Sequence, residues 1–430
     1  MANLLSINNY YYRRGGAEVV FLEHNGIFEK LGWTVIPFSM KHAKNESTEW
    51  ENHFVNEIEY GADYGWHNKF INAFKIIYSW EAKNKLESLI DTIKPDVAHL
   101  HNIYHHLSPS ILPVLKKNGV PTVMTLHDLK LLCPSYLMLN ASGVCEKCKG
   151  GKIYNVVSNK CMKQSLPLSS LIFSETLVHR ASNIYKKNIA MFILPSKFYL
   201  NKFIEWGWEA DRLIHIPNFV DVDILKPNYQ PGQYFVFFGR LSKEKGVKTL
   251  IHAAHEANVE LKIIGNGPLE DELKSLVSGL GANVTFLGFQ TGEALHQAIG
   301  NAKAVVLPSE WYENAPMSIM ESYALGKPVI GANIGGIPEL IRENETGITF
   351  ESANTESLSY ALIQLNSMKD DAVIEMGKTA RQWVENEFTV KKYSERLCNL
   401  YSRLGVNLQK TRKRRTLNKE QPFLLPGDCN

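Results

Sequence analysis

The sequence lacks the features of a membrane-embedded or nucleic-acid-binding protein. No run of about 18 or more apolar residues occurs, so no spanning helix is expected. The apolar start, up to Ile7, is too short for a signal peptide and reads as a first strand, which predicts a cytoplasmic protein. With 47 Lys and Arg against 44 Asp and Glu, the net charge of +3 gives no field of one sign and predicts no nucleic-acid partner.

Cysteine is also scarce, with six in 430 residues. In a cytoplasmic protein such cysteines are more often thiols or metal ligands than disulfides. Cys145 and Cys148 form a CxxC pair, flanked by Cys133 and Cys161. Four cysteines in one stretch suit a tetrahedral structural zinc. The flanking spacings are not those of a standard zinc finger, so a reduced thiol cluster or a disulfide pair remains the alternative.

What the chain does contain is a repeated alternation of short apolar runs and longer amphipathic stretches. This alternation is typical of βαβ units and a parallel sheet, and therefore predicts an α/β fold. A length of 430 residues favours two domains over one. Proline, glycine and asparagine cluster near residues 217–232, which places the seam there. The predicted strands are 97–100, 122–126 and 190–194, then 234–238, 261–264, 284–287, 304–307 and 328–330.

Two features at predicted strand ends in the first half face the edge where α/β sheets bind ligands. Gly15 and Gly16 follow the first strand, and a glycine pair before a helix lets an anion approach the free N–H groups. A tight turn without a ligand explains the pair equally well. His127 follows the strand that ends near Leu126, and a lone histidine is more often structural than functional.

The second half carries cations and glycines at corresponding places. Gly239 and Arg240 end one predicted strand, and Lys245 comes five residues later. Arginine grips phosphate with a fork of donors and lysine acts as a point charge, so a phosphate site is favoured over a solvated basic loop. Gly265 and Gly267 end the next strand, which extends the same edge.

The most informative stretch is residues 308–321. Glu313 lies in the predicted loop before a helix, and Glu321 lies inside that helix. A carboxylate can accept hydrogen bonds from two hydroxyls of a sugar or a ribose. Ser318 and the N–H groups of the helix start are suited to an anion. Together they would hold a sugar and a ribose with a diphosphate between them. Two surface glutamates are the alternative, which the surrounding apolar residues disfavour.

At this point the sequence resembles glycosyltransferase family 4, the large retaining family of GT-B fold. The resemblance covers about residues 1–405. Its most specific part is the E-x7-E motif from Glu313 to Glu321, followed by the Gly239-Arg240 and Lys245 pattern, Gly265-x-Gly267-Pro268, and the segment 217–221, which is similar to P-N-G-V-D. Phe219 stands where the family often has glycine. The run H-D-x4-C-P that begins at His127 recurs in some members.

The resemblance assigns roles to the matching residues. Arg240 and Lys245 would bind the donor diphosphate, Glu313 would hold hydroxyls of the transferred sugar, and His127 would lie near the reacting carbon. The expected contacts with the nucleotide sugar are Gly15, Gly16, Asn218, Gly239, Gly265, Gly267, Asn314, Ala315, Ser318 and Glu321. Since cations and a helix start can stabilise the leaving diphosphate, no metal ion is expected to be required for catalysis.

The resemblance also implies the architecture, two Rossmann-like domains that face a central cleft. We predict an N-terminal acceptor-side domain at 1–215 with a Cys-bearing insert at about 133–161, and a donor domain at 216–385. A helix at 386–404 should cross back to the first domain. The basic stretch 410–415 belongs to a tail, 405–430, that could touch an anionic membrane or be merely solvated.

The expected activity is transfer of a hexose, with retention, from a nucleotide-diphosphate sugar to a saccharide or lipid-linked acceptor in polysaccharide or glycolipid synthesis. Two other classes share the donor cleft. A GT-B epimerase or phosphorylase would not need an added acceptor, and a non-catalytic nucleotide-sugar binder would tend to lose one of the four residues Arg240, Lys245, Glu313 and Glu321. The aromatic residues Tyr10, Tyr11, Tyr12 and Trp66 are candidates for stacking on a sugar or for packing.

Overall fold

The computed structural model describes residues 2–57 and 74–408. The strands of the first half are β1 (Asn3–Ile7), β2 (Thr34–Phe38), β3 (Val97–Leu100), β4 (Thr122–Thr125), β5 (Leu139–Asn140), β6 (Gly143–Val144), β7 (Met191–Leu194) and β8 (Leu213–His215). Those of the second half are β9 (Tyr234–Phe238), β10 (Glu260–Ile264), β11 (Val284–Gly288), β12 (Ala304–Leu307), β13 (Val329–Ala332) and β14 (Gly347–Phe350). Trp66 lies outside the described residues.

The helices surround two sheets. Those of the first half are α1 (Gly16–Lys30), α2 (Trp80–Ile93), α3 (Leu112–Lys117), α4 (Asn155–Ser158), α5 (Leu166–Ser182), α6 (Ile184–Asn188) and α7 (Lys197–Glu205). Those that follow are α8 (Val247–Glu256), α9 (Glu270–Leu280), α10 (Gly292–Gly300), α11 (Met317–Ala324), α12 (Thr355–Ser367), α13 (Asp370–Glu387) and α14 (Val390–Arg403). Within the described ranges no helix is long and apolar enough to cross a membrane.

Each half of the chain builds a six-stranded parallel sheet. The orders are β2-β1-β3-β4-β7-β8 and β11-β10-β9-β12-β13-β14. The chain moves outward from β1 to β2 and then returns to place β3 on the other side of β1. In the second sheet β10 and β12 flank β9 in the same way. Both sheets therefore have a switch point beside their first strand, which is where open α/β sheets bind ligands.

The central strand β9 shows why these short runs form strands. Its sequence, Tyr-Phe-Val-Phe-Phe, is aromatic and β-branched throughout, and Phe235, Val236 and Phe237 are at most 1% exposed. A continuous apolar run is typical of a parallel strand that helices cover on both faces. The strand ends where Gly239 begins the loop to the next helix, so the loop emerges at the ligand-binding edge.

The helix at the C-terminal end of the described chain returns to the first domain. Helix α14 lays Tyr393, Leu397 and Tyr401 into a cluster with Leu4 and Phe28. Successive side chains of β1 point to opposite faces of the sheet. Leu4 therefore packs in the cluster with α14, and Leu5 packs in the core on the other face. The first sheet is thus covered on one face by α1 together with α14.

One local expectation needs correction. The crossing helix was expected at 386–404, but α13 ends at Glu387 and α14 begins only at Val390. Thr389 is extended and its Oγ1 accepts the Lys392 N–H at 3.2 Å, which caps the new helix. The Cys-bearing insert contains the antiparallel pair β5–β6 and the short helix α4.

Candidate active site

Three neighbouring strands of the second sheet deliver the predicted donor loops to one edge. The loop after β9 carries Gly239, Arg240 and Lys245, and the loop after β12 carries Glu313. The loop after β10 carries Gly265 and Gly267. Because β10, β9 and β12 are adjacent in the sheet, their carboxyl ends meet. The structure therefore brings these sequence-predicted residues together.

The glycines after β10 are required by close backbone packing. A Cβ on Gly265 would lie 1.9 Å from the carbonyl oxygen of Gly239, and one on Gly267 would lie 2.3 Å from that of Leu241. Gly265 also has φ of +131°, which disfavours other residues. The loop after β10 thus lies directly against the loop that carries Arg240, and the hydrogen bond from Leu241 N to Asn266 O, at 2.9 Å, fixes the pair.

Glu313 and Lys245 form an ion pair at the carboxyl ends of β12 and β9. Lys245 Nζ lies 2.6 Å from Glu313 Oε1, and the Ser309 hydroxyl donates to the same oxygen at 2.7 Å. Glu313 is 6% exposed. Burial alone would raise its pKa, but the charge of Lys245 and the two hydrogen bonds hold the pKa below its ordinary value. The second carboxylate oxygen stays an ionised acceptor for a ligand hydroxyl.

Arg240 stands in the same loop with its side chain exposed. Its charge reaches Tyr136, a residue of the Cys-bearing insert. Burial and the negative charges of Asp128 and Glu244 raise the pKa of Tyr136, and the charge of Arg240 opposes this shift. A charge of the first domain, Asp128, and one of the second domain, Arg240, thus act on Tyr136 in opposite directions.

Glu321 lies in α11, the helix that follows β12 and the loop that carries Glu313. Pro316 precedes this helix and makes no side-chain cap, so the N–H groups at Met317 and Ser318 point outward. Within the described part of the chain, no hydrogen bond to the Glu321 carboxyl is formed. Burial, and secondarily the charge of Glu23 on α1, raises the pKa of Glu321 to about 7. A half-buried carboxyl without a partner is suited to a ligand that brings hydroxyl donors.

On the other side of the cleft, His127 follows β4 and belongs to a column of histidines. His127 Nε2 lies 2.8 Å from His101 Nδ1, and the two rings stack at 5.1 Å. His99 stacks in turn on His101 at 4.7 Å. Burial lowers the pKa of His127 to about 4, so the ring is neutral at neutral pH. Its orientation is fixed by His101, which the sequence did not single out.

His24, His99 and His101 are the group in the described chain whose potential ligand atoms lie within 4.8 Å of one another. Their geometry nevertheless does not suit a shared metal ion. The rings of His99 and His101 are parallel within 13°. A nitrogen lone pair lies in its ring plane, so stacked rings cannot aim two lone pairs at one point between them. Both nitrogens of His99 are also engaged, with Tyr401 at 2.6 Å and Thr125 at 2.7 Å.

Gly15 and Gly16 occupy the start of α1 as predicted. Gly15 is the N-cap and makes no side-chain cap, and a Cβ on Gly16 would meet nothing within 4 Å. The first turn of α1 is thus a position that suits an anion, and the backbone N–H groups of Gly15 and Glu18 already act there on the Glu18 carboxylate. Glu18, in the same turn, is 7% exposed, and burial raises its pKa.

Asn314, Ala315 and Asn218 were predicted to contact the nucleotide sugar, and the structure shows what their polar groups bind within the protein. Asn314 Nδ2 donates to the carbonyl oxygens of Leu126 at 3.0 Å and His127 at 3.3 Å. Asn218 Nδ2 donates to the Ala315 carbonyl at 3.0 Å. The Asn314 amide thus joins the two domains and holds the residue after Glu313 against the backbone of His127, whereas the Asn218 amide acts within the second domain.

The Cys-bearing insert also crosses the cleft. Glu146, between Cys145 and Cys148, accepts a hydrogen bond from the Tyr312 hydroxyl at 2.8 Å and lies 2.9 Å from Lys202 Nζ. Tyr312 directly precedes Glu313. The charge of Glu146 was not recognised in the sequence, because only the flanking cysteines drew attention to this stretch.

The expectation of a structural zinc is not supported by this geometry. Cys133, Cys145, Cys148 and Cys161 are free thiols near one another, but in residues 2–57 and 74–408 their sulfurs do not form a group within 4.8 Å. Burial first, and the neighbouring thiols second, raise the pKa of Cys148 to about 12 and that of Cys161 to about 11. The thiols of Cys148 and Cys161 are therefore protonated at neutral pH.

Asp128 is a further buried acid that the sequence reasoning passed over, although it follows His127 directly. Its Oδ1 accepts the Lys130 N–H at 2.9 Å. Burial raises its pKa to about 6. The sequence could have identified Asp128 as a candidate site residue, because it directly follows His127 at the end of a strand.

Fold and site define a glycosyltransferase of the GT-B architecture, with a cleft between two Rossmann-like domains. Two family models match the chain in succession: Glycosyltransferase Family 4 over residues 14–224 and Glycosyl transferases group 1 over residues 226–387. The chain belongs to the glycosyltransferase family that these two models describe.

Relatives agree with this assignment. The sulfoquinovosyl transferase of Arabidopsis thaliana is 30% identical over 330 residues, 72% of this chain and 57% of the relative. The amylovoran biosynthesis glycosyltransferase of Erwinia amylovora is 28% identical over 231 residues, 50% of this chain and 56% of the relative. In both cases the chain spans little more than half of the relative's length.

Solved structures share the fold. The sucrose-phosphate synthase of Thermosynechococcus elongatus superposes with a TM-score of 0.70 at 18% identity, covering 94% of this chain and 99% of that one. The Anabaena protein HepE, solved with UDP-glucose, gives a TM-score of 0.66 at 17% identity, covering 94% and 100%. The GT-B fold predicted from the sequence is confirmed.

Proposed function

We propose that the chain transfers a hexose, with retention of configuration, from a nucleotide-diphosphate sugar to a saccharide or lipid-linked acceptor in polysaccharide or glycolipid synthesis. The observation that carries this proposal is the arrangement of Lys245, Glu313 and Glu321. The Glu313 carboxylate is kept ionised by Lys245, and Glu321, half-buried and without a hydrogen-bond partner among the described residues, lies in the helix that follows the same loop.

The donor would lie across the ends of β9 and β12. Arg240 and Lys245 would bind the diphosphate, and the free N–H groups of α11 at Ser318 would add to that site. Glu313 would accept hydroxyls of the hexose, and Glu321 would accept those of the ribose. Gly239, Gly265 and Gly267 shape the backbone under the donor, as their close packing supports.

The acceptor hydroxyl oxygen would attack the anomeric carbon as the bond to the diphosphate oxygen breaks. The hydroxyl proton would pass to the leaving diphosphate, whose growing charge Arg240 and Lys245 stabilise without a metal ion. Retention is what the resemblance to the retaining family implies, and attack from the face that the diphosphate leaves would give it.

The first domain would hold the acceptor and close the reacting centre. His127, neutral and oriented by His101, would lie beside the hexose, and Gly15 and Gly16 would lie against the phosphates or the acceptor. Glu18 and Asp128 are buried acids near this side, suited to hydrogen-bond acceptor hydroxyls. Contact between the cleft walls would exclude water, whose attack would hydrolyse the donor.

Two similar proteins suggest which nucleotide sugars should be tested as donors. HepE was solved with UDP-glucose, and a relative in Mycobacterium tuberculosis is named for GDP-mannose dependence. A panel of UDP- and GDP-sugars therefore covers both bases. Location in the cytoplasm stays a prediction, as does membrane contact of the tail, because residues 410–415 lie outside the described residues.

The test is donor binding and slow donor hydrolysis across this panel, with wild type beside Glu321→Ala and Arg240→Ala. Lys243→Ala is the matched control, since Lys243 is exposed in the same loop and makes no ion pair among the described residues. We expect one donor class to bind, both site variants to lose binding or turnover by about 100-fold or more, and the control to behave as wild type.

Failure of every nucleotide sugar to bind would contradict the proposal. If the donor binds and the products form without any added acceptor at the full rate, the epimerase or phosphorylase alternative replaces it. If the donor binds but neither hydrolysis nor transfer occurs with any acceptor tried, a non-catalytic binder is the better description.

A further inference from the structure

The first domain contains a cavity of about 360 Å³ that is separate from the donor cleft. Its walls come from the loop after β4, the Cys-bearing insert, helices α5 and α6, and the end of α7 with the loop that follows it. Among the described residues, none that is assigned to the donor or to the reacting centre lines it. The volume lies within the range of about 300–1,000 Å³ that is typical of small-molecule sites.

The side chains that line the cavity carry positive charge and no negative charge. Lys130 is neutralised by Glu175, whose Oε2 lies 2.8 Å from Lys130 Nζ. Arg180 and Lys186 have no acidic partner within the described part of the chain. Arg180 is half-buried, and burial lowers the pKa of its guanidinium. Because an unpaired charge in such a place is costly, the cavity favours an anion.

Several hydrogen-bonding groups at the cavity have no partner inside the protein. Thr176 is 7% exposed, and its hydroxyl makes no hydrogen bond in residues 2–57 and 74–408. The Trp206 indole N–H is buried and bonds nothing in the same ranges. Arg180 donates one N–H to the carbonyl oxygen of Leu132, at 2.6 Å, and its remaining donors bond nothing there either. Since buried polar groups in proteins are nearly always hydrogen-bonded, these groups indicate a polar ligand.

Aromatic surface adjoins these polar groups. Trp206 and Trp208 both line the cavity. Trp208 is held by edge-on contacts with Phe192 and Phe203, at 5.0 and 5.1 Å between ring centroids. Lys186 Nζ lies 4.7 Å from the centre of the Trp208 ring, so a cation and an aromatic wall lie side by side. This combination suits a ligand with an apolar face and a hydroxylated edge, as a sugar ring has.

We propose that this cavity binds a monosaccharide that carries a phosphate or a carboxylate. The anionic group would lie against Arg180, whose fork of N–H donors matches either anion, with Lys186 adding charge. The sugar ring would pack against the tryptophans, and its hydroxyls would bond the Trp206 N–H and the Thr176 hydroxyl. An aromatic anion has too few hydroxyls to satisfy these groups. This inference does not rest on the proposed transfer reaction.

The cavity shares two wall segments with the cleft. Residues 130–132 continue the loop that carries Asp128. Residues 150–151 belong to the Cys-bearing insert, whose Glu146 accepts the hydrogen bond from the Tyr312 hydroxyl at 2.8 Å. A ligand in the cavity would contact both segments. Its binding would therefore stabilise the parts of the first domain that reach the reacting centre.

The test is isothermal titration calorimetry of the full chain with four probes, namely glucose 1-phosphate, glucuronate, glucose and inorganic phosphate. We expect at least one of the two anionic sugars to bind with a dissociation constant below about 1 mM. Glucose lacks the charge and inorganic phosphate lacks the ring, so each should bind about tenfold more weakly or worse. Binding of only one anionic sugar identifies the anionic group that the cavity recognises.

Two variants and a matched control locate the binding. Arg180→Gln should weaken it about 10- to 100-fold, and Trp206→Phe about three- to tenfold. Trp206→Phe removes only an N–H that bonds nothing in the described chain, so the fold should be unaffected, and circular dichroism checks both variants. Lys187→Gln replaces an exposed cation next to Lys186 and should bind as wild type does.

Arg240→Ala separates the cavity from the donor cleft, the other site suited to a sugar phosphate. Binding in the cavity should persist in this variant, because Arg240 does not line it. Loss of binding in Arg240→Ala would place the ligand in the cleft and overturn the proposal. Failure of both anionic sugars to bind, equal binding of glucose or inorganic phosphate, or full binding by both folded cavity variants would overturn it as well.

Discussion

The two glutamates of the E-x7-E motif have opposite electrostatic environments. Glu313 is paired with Lys245, and its pKa is held below the ordinary value. Glu321 lies near Glu23 instead of a cation, and burial raises its pKa to about 7. Glu313 is therefore ionised throughout the neutral pH range, whereas Glu321 gains or loses its proton near pH 7. Donor binding should therefore depend on pH through Glu321 alone.

The first prediction concerns this dependence. An ionised carboxylate can accept hydrogen bonds from two ribose hydroxyls. A protonated carboxyl uses one of its oxygens as a donor and so loses one of these bonds. Donor affinity should rise as pH increases through about 7 and then level off, because the donor binds the deprotonated form. Glu321→Gln should remove the dependence and weaken binding about 10- to 100-fold. Donor dissociation constants from calorimetry between pH 6 and 8 measure both effects.

Glu23→Gln is the matched control for this prediction. It removes the neighbouring negative charge without touching the donor site, so the midpoint of the pH dependence should move below that of wild type. An unchanged midpoint in Glu23→Gln, or a pH dependence that persists in Glu321→Gln, would show that another group is responsible.

At the residue scale, the sequence predicted which side chains lie at the candidate site but not which residues they bind. Strand ends followed by glycine or cations identified Arg240, Lys245 and Glu313, because parallel strands bring their ends together. The contact of Asn314 with the carbonyls of Leu126 and His127 joins residues almost 190 positions apart. No local pattern encodes such a pairing. The same holds for His101, which fixes His127 from a neighbouring strand.

At the scale of elements, the Cys-bearing insert is a structural bridge between the domains. Glu146 binds both Tyr312 and Lys202, and Lys149 pairs with Glu205 on α7. Burial, and next the hydrogen bond to Glu146, raises the pKa of Tyr312 to about 12. The phenol therefore stays a proton donor over the whole working range, and the contact with Glu146 holds the loop that carries Glu313.

The second prediction tests this contact with a double-mutant cycle. Tyr312→Phe and Glu146→Gln should each lower kcat/KM about three- to tenfold, and the double variant should be little worse than either, with a coupling of about 1 kcal/mol. Transfer or donor hydrolysis by the four proteins supplies the cycle. Tyr360→Phe, at a position 70% exposed, is the control and should be neutral.

Additive losses in this cycle would mean that Glu146 and Tyr312 act separately, and the bridge would then have no role in holding Glu313.

Most strands with an apolar run were predictable, whereas the buried side of α5 was not. Periodicity assigns apolar side chains to the core. In α5 four of the five buried residues are polar, and Glu175 pairs with Lys130 while His179 Nε2 lies 2.8 Å from the carbonyl oxygen of Ile77. These partners come from distant segments, which no local pattern encodes.

At the scale of the whole molecule, the buried histidine column couples stability to pH. Burial lowers the pKa of His24 to about 3 and that of His127 to about 4, and holds those of His99 and His101 well below the ordinary value. These rings are neutral when folded but become charged near pH 6.5 when unfolded. Their contribution is fully present above pH 6.5 and is lost as pH falls toward the folded values.

The third prediction follows from this linkage. At pH 5 unfolding should take up a proton at each histidine of the column and at His105 and His106, whose pKa values burial lowers to about 4 and about 3. Asp128 and Glu321, with pKa values raised to about 6 and about 7, each release one. The net uptake by these groups is roughly four protons, which corresponds to about 5 kcal/mol of stability lost per pH unit. Urea unfolding at pH 7.5, 6 and 5 should show a falling midpoint.

Calorimetry in buffers of different ionisation enthalpy counts the protons directly. A midpoint that rises on acidification, or net proton release at pH 5, would contradict the neutral state of the histidine column.

The two-domain architecture was predictable because the strand–turn–helix pattern begins again after about residue 232 and each repeat can form one sheet. The pattern did not supply the packing of one half on the other. That packing depends on single side chains, such as Ser196 donating to Asn314 and Glu339 accepting from the first turn of α7. Such contacts are specific to this chain and leave no periodic trace.

Helix α14 also sets an order for synthesis. The face of the first sheet that carries Leu4 and Phe28 stays uncovered until Tyr393, Leu397 and Tyr401 have left the ribosome. The first domain therefore cannot complete its folding when its own last strand is made, and the nascent chain exposes an apolar surface while the second domain is translated. A ribosome that stalls before Val390 would release a chain with a finished donor domain and an unfinished first domain.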